Sequence, residues 1–388
     1  MFNWKLLIGL LLAVSITGLI LLAVSRRNPA PLLKWHSMFL LGGISGPAVK
    51  DYWLLNDDSI LTFGLMSEVK LRHRNGQVFY SFQPYEVNEL PWHVAVSKSG
   101  LLCIGTNKNH IYVVDSTGRL LWRKAVPGTR VWTCVPAFGP GDEIFVGSSE
   151  GVVWSFDVKG NKRWKGDFAG ISGITPITAA NDGTVYGVGR DLSITAISNE
   201  GKQLWRSDPR VAGLAAPFVA PDGGPTCVDT LSGAVRHFSP DGEMLWEYHY
   251  QPGSAIRNEP VIDAHGVVVV NANINMENRI AAVSADGHEL WSLPCGTLFN
   301  TLGLDGKGRL WMIDSDPHSA RGKPGGGFPN LTNKAPRGYL FVIDPDTGKL
   351  LGRTRTPFYF SLTDGLARLG DSMVALGENG ELYCYELP

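Results

Sequence analysis

Glu259, Asn300 and Asp364 are the residues of this 388-residue chain with the most usable chemistry. Two carboxylates and an amide offer hard oxygen donors of the kind that hold calcium, and a carboxylate can also act as a base. Arg257 adds a fixed positive charge two residues before Glu259, and Arg130 and Trp132 set a cation beside a ring far upstream. No local motif ties these residues together. Only a fold that brings the chain back repeatedly to one place could assemble them. Other signatures are missing. The chain has no Gly-x-Ser-x-Gly elbow and no phosphate loop. His93, His110, His237, His249, His265, His288 and His318 are scattered without ligand spacing, which points to surface or structural histidines. Cys103, Cys134, Cys227, Cys295 and Cys384 stand singly, so a zinc site is not expected and buried free thiols are. Asn330-Leu331-Thr332 matches a glycosylation acceptor, a match too common to carry weight.

The returning element is written into the tryptophans. Trp122, Trp164, Trp205, Trp246 and Trp291 are spaced by 42, 41, 41 and 45 residues. Each follows a turn ending in glycine: STGRLLW, VKGNKRW, NEGKQLW, PDGEMLW and ADGHELW. Glycine supplies the left-handed backbone such hairpins need, and the flanking runs are rich in Val, Ile, Tyr, Phe and Trp, as strands are. Two further apolar runs precede each pair, giving four strands per unit, A to D, with the tryptophan on D. Four-stranded units of about 40 residues are propeller blades, and a large aromatic repeated on D fills the gap between neighbours. The expected fold is therefore all-β.

The motif Gly-x-x-Leu-Trp after an Asp-rich turn, with VVDSTGRLLW and VIDPDTGKLL, resembles the tryptophan-docking repeat of the quinoprotein-like (PQQ-repeat) β-propellers. The resemblance covers nearly everything after residue 32. It implies either of two kinds of protein. One is a dehydrogenase with pyrroloquinoline quinone and calcium, to which Glu259, Asn300 and Asp364 could contribute. The other is the non-catalytic type, similar in design to the propeller lipoprotein of outer-membrane assembly. The adjacent cysteines of the large quinone dehydrogenases are absent, and those enzymes are usually longer chains. The second kind is expected, with no cofactor. The lipoprotein comparison departs at the start of the chain, because no cysteine occurs before Cys103.

Counting strands predicts eight blades. Blade 1 carries Tyr80 at the tryptophan position, and blade 7 has Gly352 there. After blade 7 the chain supplies three strands, over 361–369, 372–376 and 381–387. The run Leu32–Leu40 stands alone at the front, with Trp35 in register, and is expected to complete the last blade and close the ring. With D running up, the B–C and D–A loops lie on a top face and the A–B and C–D turns below. An insert in blade 7, about 316–338, and a lengthened loop in blade 6, 272–278, would overhang the top. Arg257, Glu259, Asn300, Asp364, Arg130 and Trp132 open the inner A strands there and form the candidate binding sector.

The start of the chain differs. Leu6–Val24 is 19 nearly uninterrupted apolar residues, long enough to span a bilayer. It serves either as an uncleaved anchor (1–25, followed by a linker, 26–31, and the propeller, 32–388) or as a signal cleaved near Ala23-Val24-Ser25. Its length and the following Arg26 and Arg27 favour the anchor. Counting positive charges alone would leave the large domain in the cytoplasm. The resemblance implies the opposite side, outside the bacterial cytoplasmic membrane, and that side is expected. A net charge of −1 argues against a nucleic-acid partner. The expected role is a membrane-tethered scaffold in the cell envelope that binds a protein or envelope polymer at its top face. A quinone-dependent oxidoreductase and a small-ligand or polysaccharide sensor are the alternatives.

Overall fold

The structure is a computed structural model. It describes residues 32–37, 51–54, 59–63, 69–73, 77–82, 86, 88–126, 135–148, 151–167, 177–189, 191–209, 217–229, 232–250, 255–256, 260–274, 277–295, 301–315, 337–359, 366–369, 371–376 and 382–388. Among these there is no helix, and hence none long and apolar enough to cross a membrane. Leu6–Val24 lies outside the described residues.

Alternating apolar runs joined by tight glycine turns give antiparallel hairpins, and the hairpins assemble into eight sheets. Six have four strands in chain order, and a seventh has five because its first strand is in two pieces. The eighth joins 366–369, 372–376 and 382–386 to the first strand, Leu32–Ser37. Leu32 pairs with Glu386 and Trp35 with Cys384, so the front of the chain closes the ring. The A strands of successive blades approach one another, for example Pro91–Val96, Val135–Phe138 and Thr178–Ala179. They line the axis, and the D strands form the perimeter. The fold is an eight-bladed β-propeller.

Two stretches differ from expectation. In blade 6 the residues expected as a lengthened loop continue the ladder, with Asn273 opposite Asn278 and Ile274 opposite Glu277. The period-two alternation simply runs on there. The A strand of that blade is in two pieces, Ala255–Ile256 and Val261–Ile262, both paired with Val268–Ile274. In blade 7, Arg337 and Gly338 open strand C, which runs to Ile343, and strand D extends from Leu350 to Tyr359. The rest of the insert, 316–336, lies outside the described residues.

The core is a series of inter-blade layers. Val69, Leu71 and Phe82 of blade 1 pack on Leu102, Ile104, Tyr112 and Val114 of blade 2. Trp311 and Leu340 of blade 7 pack on Met373, Tyr383 and Tyr385 of blade 8 in the same way. Burying apolar side chains on both faces of each sheet is the main stabilising term, at about 25 cal/mol per Å². Cys103, Cys227 and Cys384 are buried, and burial pushes the Cys227 thiol up to about 12.

Candidate functional site

The lower seams come first because they fix the blades. Five D-strand tryptophans each send the indole N–H to a carbonyl in the next blade's C–D turn. Trp122 donates to Val158 (2.9 Å), Trp164 to Asn199 (2.7 Å), Trp205 to Pro240 (2.6 Å), Trp246 to Ala285 (2.7 Å) and Trp291 to Pro345 (2.7 Å). The ring lies over that turn's glycine. At Gly201 the backbone has φ +83°, and a Cβ would come within 2.6 Å of Trp164. Tyr80 covers Gly118 in the same way. Trp291 is buried to 9% exposure, but Trp122, Trp164, Trp205 and Trp246 are only half-buried, because these rings sit at the widening lower rim. Between blades 2 and 3 this rim leaves an open depression of about 570 Å³, lined by Leu101, Leu121, Trp122, Val158 and Lys159 among others.

Asp222, His237 and Thr226 of blade 5 have the geometry of a catalytic triad. His237 Nε2 is 2.9 Å from Asp222 Oδ2, and His237 Nδ1 is 2.9 Å from Thr226 Oγ1. Thr226 is 1% exposed, so no substrate reaches its hydroxyl. The chain of hydrogen bonds ties the A–B turn to strands B and C, and His237 is covered by Trp246 at 5.5 Å.

The upper ends of the blades are unlike one another. Among the described residues the densest chemistry lies at the top of blade 2. Glu89, in the link from blade 1, is 4% exposed. Its carboxylate accepts hydrogen bonds from Thr106 Oγ1 (2.6 Å) and Tyr112 Oη (2.8 Å), and lies 2.8 Å from His110 Nδ1. Arg123 on strand D donates to Tyr112 Oη (3.0 Å) and Glu86 Oε1 (2.6 Å) and lies 3.9 Å from Glu89 Oε2. Burial alone would raise the Glu89 pKa. The hydrogen bonds from Thr106, Tyr112 and His110, with the nearby His110 charge, outweigh it and hold the carboxyl below the usual glutamate range.

Glu86, Glu89 and His110 bring three donor atoms within 4.8 Å of one another, close enough to suggest a metal. The Arg123 guanidinium already sits among them, 2.9 Å from the His110 ring nitrogens. The charge a cation would supply is thus provided by the protein. The network's consequence is mechanical: it pins the D–A link to the B–C turn, which Asn107 reinforces by accepting from Leu90 N at 2.7 Å. Glu86 and Arg123 keep an exposed edge at the surface. Other upper ends carry smaller arrangements. Arg206 pairs with Asp191 (2.9 Å) in blade 4, and Arg236 with Glu247 (2.5 Å) in blade 5.

Arg130, Trp132, Arg257, Glu259, Asn300 and Asp364 all lie outside the described residues. Trp35 lies on the strand that completes blade 8, in the register position of the other tryptophans. The Glu89 network was missed from sequence. Its one legible signal is register: His110 and Tyr112 share a strand face by the period of two, and Arg123 sits directly opposite Tyr112.

The repeated seam of tryptophan over turn glycine, carried around an eight-bladed ring, is the observation that decides the family. The family model described as "Outer membrane protein assembly factor BamB" matches residues 66–187 and 149–302. The chain belongs to this PQQ-repeat propeller family. None of the curated proteins compared with it matches. Among solved structures it is similar to BamB from Moraxella catarrhalis, at 14% identity and TM-score 0.61, covering 92% of this chain and 100% of that one. It is also similar to the C-terminal WD40 domain of Sif2, at 13% identity and TM-score 0.64, covering 91% and 99%. A third, virginiamycin B lyase from Staphylococcus aureus, has 12% identity and TM-score 0.51, covering 78% and 99%. At such identities these structures share the fold with the chain. One of them is a lyase, so the fold by itself does not choose between binding and catalysis.

Proposed function

We propose that this propeller is a protein-binding scaffold of the bacterial cell envelope, held at the cytoplasmic membrane by residues 6–24 with its ring outside the cytoplasm. The reading rests on one observation, the match to the assembly-factor family across residues 66–302. The arrangement of polar groups supports it. The buried acid and the histidine–aspartate pair among the described residues are taken up by their own partners, as expected of a framework that presents a surface. The upper ends of the blades, each with its own charges, suit selective contact, because loops on a rigid scaffold carry specificity. An envelope polymer is a further possible ligand for the same face.

Photo-crosslinking residues placed at Lys108 and Ser232 on the upper turns, and at Thr117 and Lys159 on the lower turns, test this in intact cells. Discrete adducts with an envelope protein from the upper positions are the expected result. No adduct from any position would overturn the scaffold reading. A thermal shift with pyrroloquinoline quinone and calcium, lost when Glu259, Asn300 and Asp364 become alanine, would replace it with the oxidoreductase. A phosphatase fused after Pro388 should be active, as the enzyme is outside the cytoplasm. An inactive fusion of normal abundance would reverse the orientation.

A further inference from the structure

Among the described strands the D strand of each blade stands last in its sheet, with no strand beyond it. Such edges pair with other chains unless Lys, Arg or Pro guards them. Most blades are guarded. Arg123 and Lys124 lie on the edge of blade 2, Lys162, Arg163 and Lys165 on blade 3, Arg206 on blade 4, Pro294 on blade 6, and Arg353, Arg355 and Pro357 on blade 7. Blade 5 is different. Its edge, Met244–His249, reads MLWEYH and has none of the three. Blade 1 is also unguarded, but its edge is shorter and Val78 and Phe79 are 39% and 37% exposed. Met244 and Leu245 are 48% and 51% exposed, and Leu204 on the neighbouring edge is 53%.

The charged residues on the edge stretch itself are all acidic. From Ser239 to Tyr250 the chain carries Asp241, Glu243 and Glu247 and no Lys or Arg. Glu247 is occupied by Arg236 and His249, but Asp241 and Glu243 are exposed. The next edge, from Ser284 to Cys295, adds Asp286 and Glu289, again without Lys or Arg. Blades 2 and 3 carry the opposite excess over the same stretch, so the bias belongs to this sector.

We propose that the outer edge of blade 5 is a docking strand for an extended segment of a partner protein that carries Lys or Arg alternating with apolar residues. Its backbone would add a fifth strand to the sheet. Its apolar side chains would cover Met244 and Leu245, and its cations would meet Asp241 and Glu243. This gives the scaffold function a partner chemistry and rests on that reading.

Fluorescently labelled (Lys-Val)4, (Lys-Pro)4 and (Glu-Val)4 peptides test the edge by anisotropy on the full chain. (Lys-Pro)4 has the same charge but lacks half the backbone N–H groups needed to pair. (Lys-Val)4 should bind at least tenfold tighter than either of the others, and Leu245→Lys and Glu243→Lys should each weaken it about tenfold. Equal binding of (Lys-Pro)4, or no effect of Leu245→Lys in a folded variant, would overturn the proposal. A photo-crosslinker at Leu245 in cells should capture a protein, and one at Arg163, the matching position of blade 3, should not. Adducts from Lys108 and Ser232 with none from Leu245 would leave the scaffold standing and remove the edge from it.

Discussion

The lower and upper seams of this ring are built by opposite rules. Below, one joint is used again and again: an indole covers a turn glycine of the next blade and bonds to a carbonyl two residues before that glycine or close by. Above, among the described residues, the joints differ in kind. Blade 2 has a buried carboxylate with three side-chain partners, blade 4 an exposed ion pair, and blade 6 an Arg279 side chain bonded to Ser292. A joint that has only to hold can be copied. A surface that has to discriminate cannot, because selectivity needs features its neighbours lack. The difference places structural duty at the bottom of the ring and individuality at the top and on the perimeter.

Four substitutions bear on this contrast. Gly201→Val should be the most damaging. It forces a β-branched residue into a left-handed backbone and drives its Cβ into the Trp164 ring, for a combined cost of about 2–5 kcal/mol. Chemical denaturation measures the loss, and a variant as stable as the parent would show that the lower joint is not tight. Glu89→Gln should cost about 2–3 kcal/mol, less than for a fully buried pair because Arg123 is 27% exposed. Its signature is in the pH dependence. The Glu89 pKa is lowered by folding, so its stabilisation is complete above the ordinary glutamate value, ~4.3, and is lost as pH falls through the lower folded value. The parent should therefore lose stability more steeply than the variant below that pH, and parallel curves would mean the network contributes nothing. Trp205→Phe keeps a ring over Gly242 but removes the bond to Pro240 and part of the indole's half-buried packing, for about 1–2 kcal/mol. Trp164→Phe should match it closely. A large disagreement between the two would break the claim that the lower joints are copies.

The uneven legibility of the chain follows from the same contrast. The tryptophan spacing and the glycine turns gave blade number, strand order and closure by Leu32–Ser37, because each is a local pattern repeated at a fixed period. Blade 6 misled in detail: Asn273, Asn278 and Glu277 look like loop residues, yet the ladder continues through them because pairing outweighs the weak preferences of polar side chains. The Glu89 network was not legible. Its members come from a link, two turns' ends and an outer strand, and only the pairing of Tyr112 with Arg123 and the return of residue 89 over the B–C turn bring them together. The upper sector chosen from sequence, around Glu259, Asn300 and Asp364, stands as a proposal.

Closure by the first strand also has a consequence in time. Leu32–Ser37 leaves the ribosome early, but its partner Leu382–Glu386 comes last. At synthesis rates of about 5–20 residues per second, the first strand waits roughly 20–70 s for its place. Throughout that interval the nascent ring is a stack with both ends open, and the waiting strand is free to take a wrong neighbour. The final fastening is therefore the step most exposed to error, and the one at which a chaperone would have the most to do.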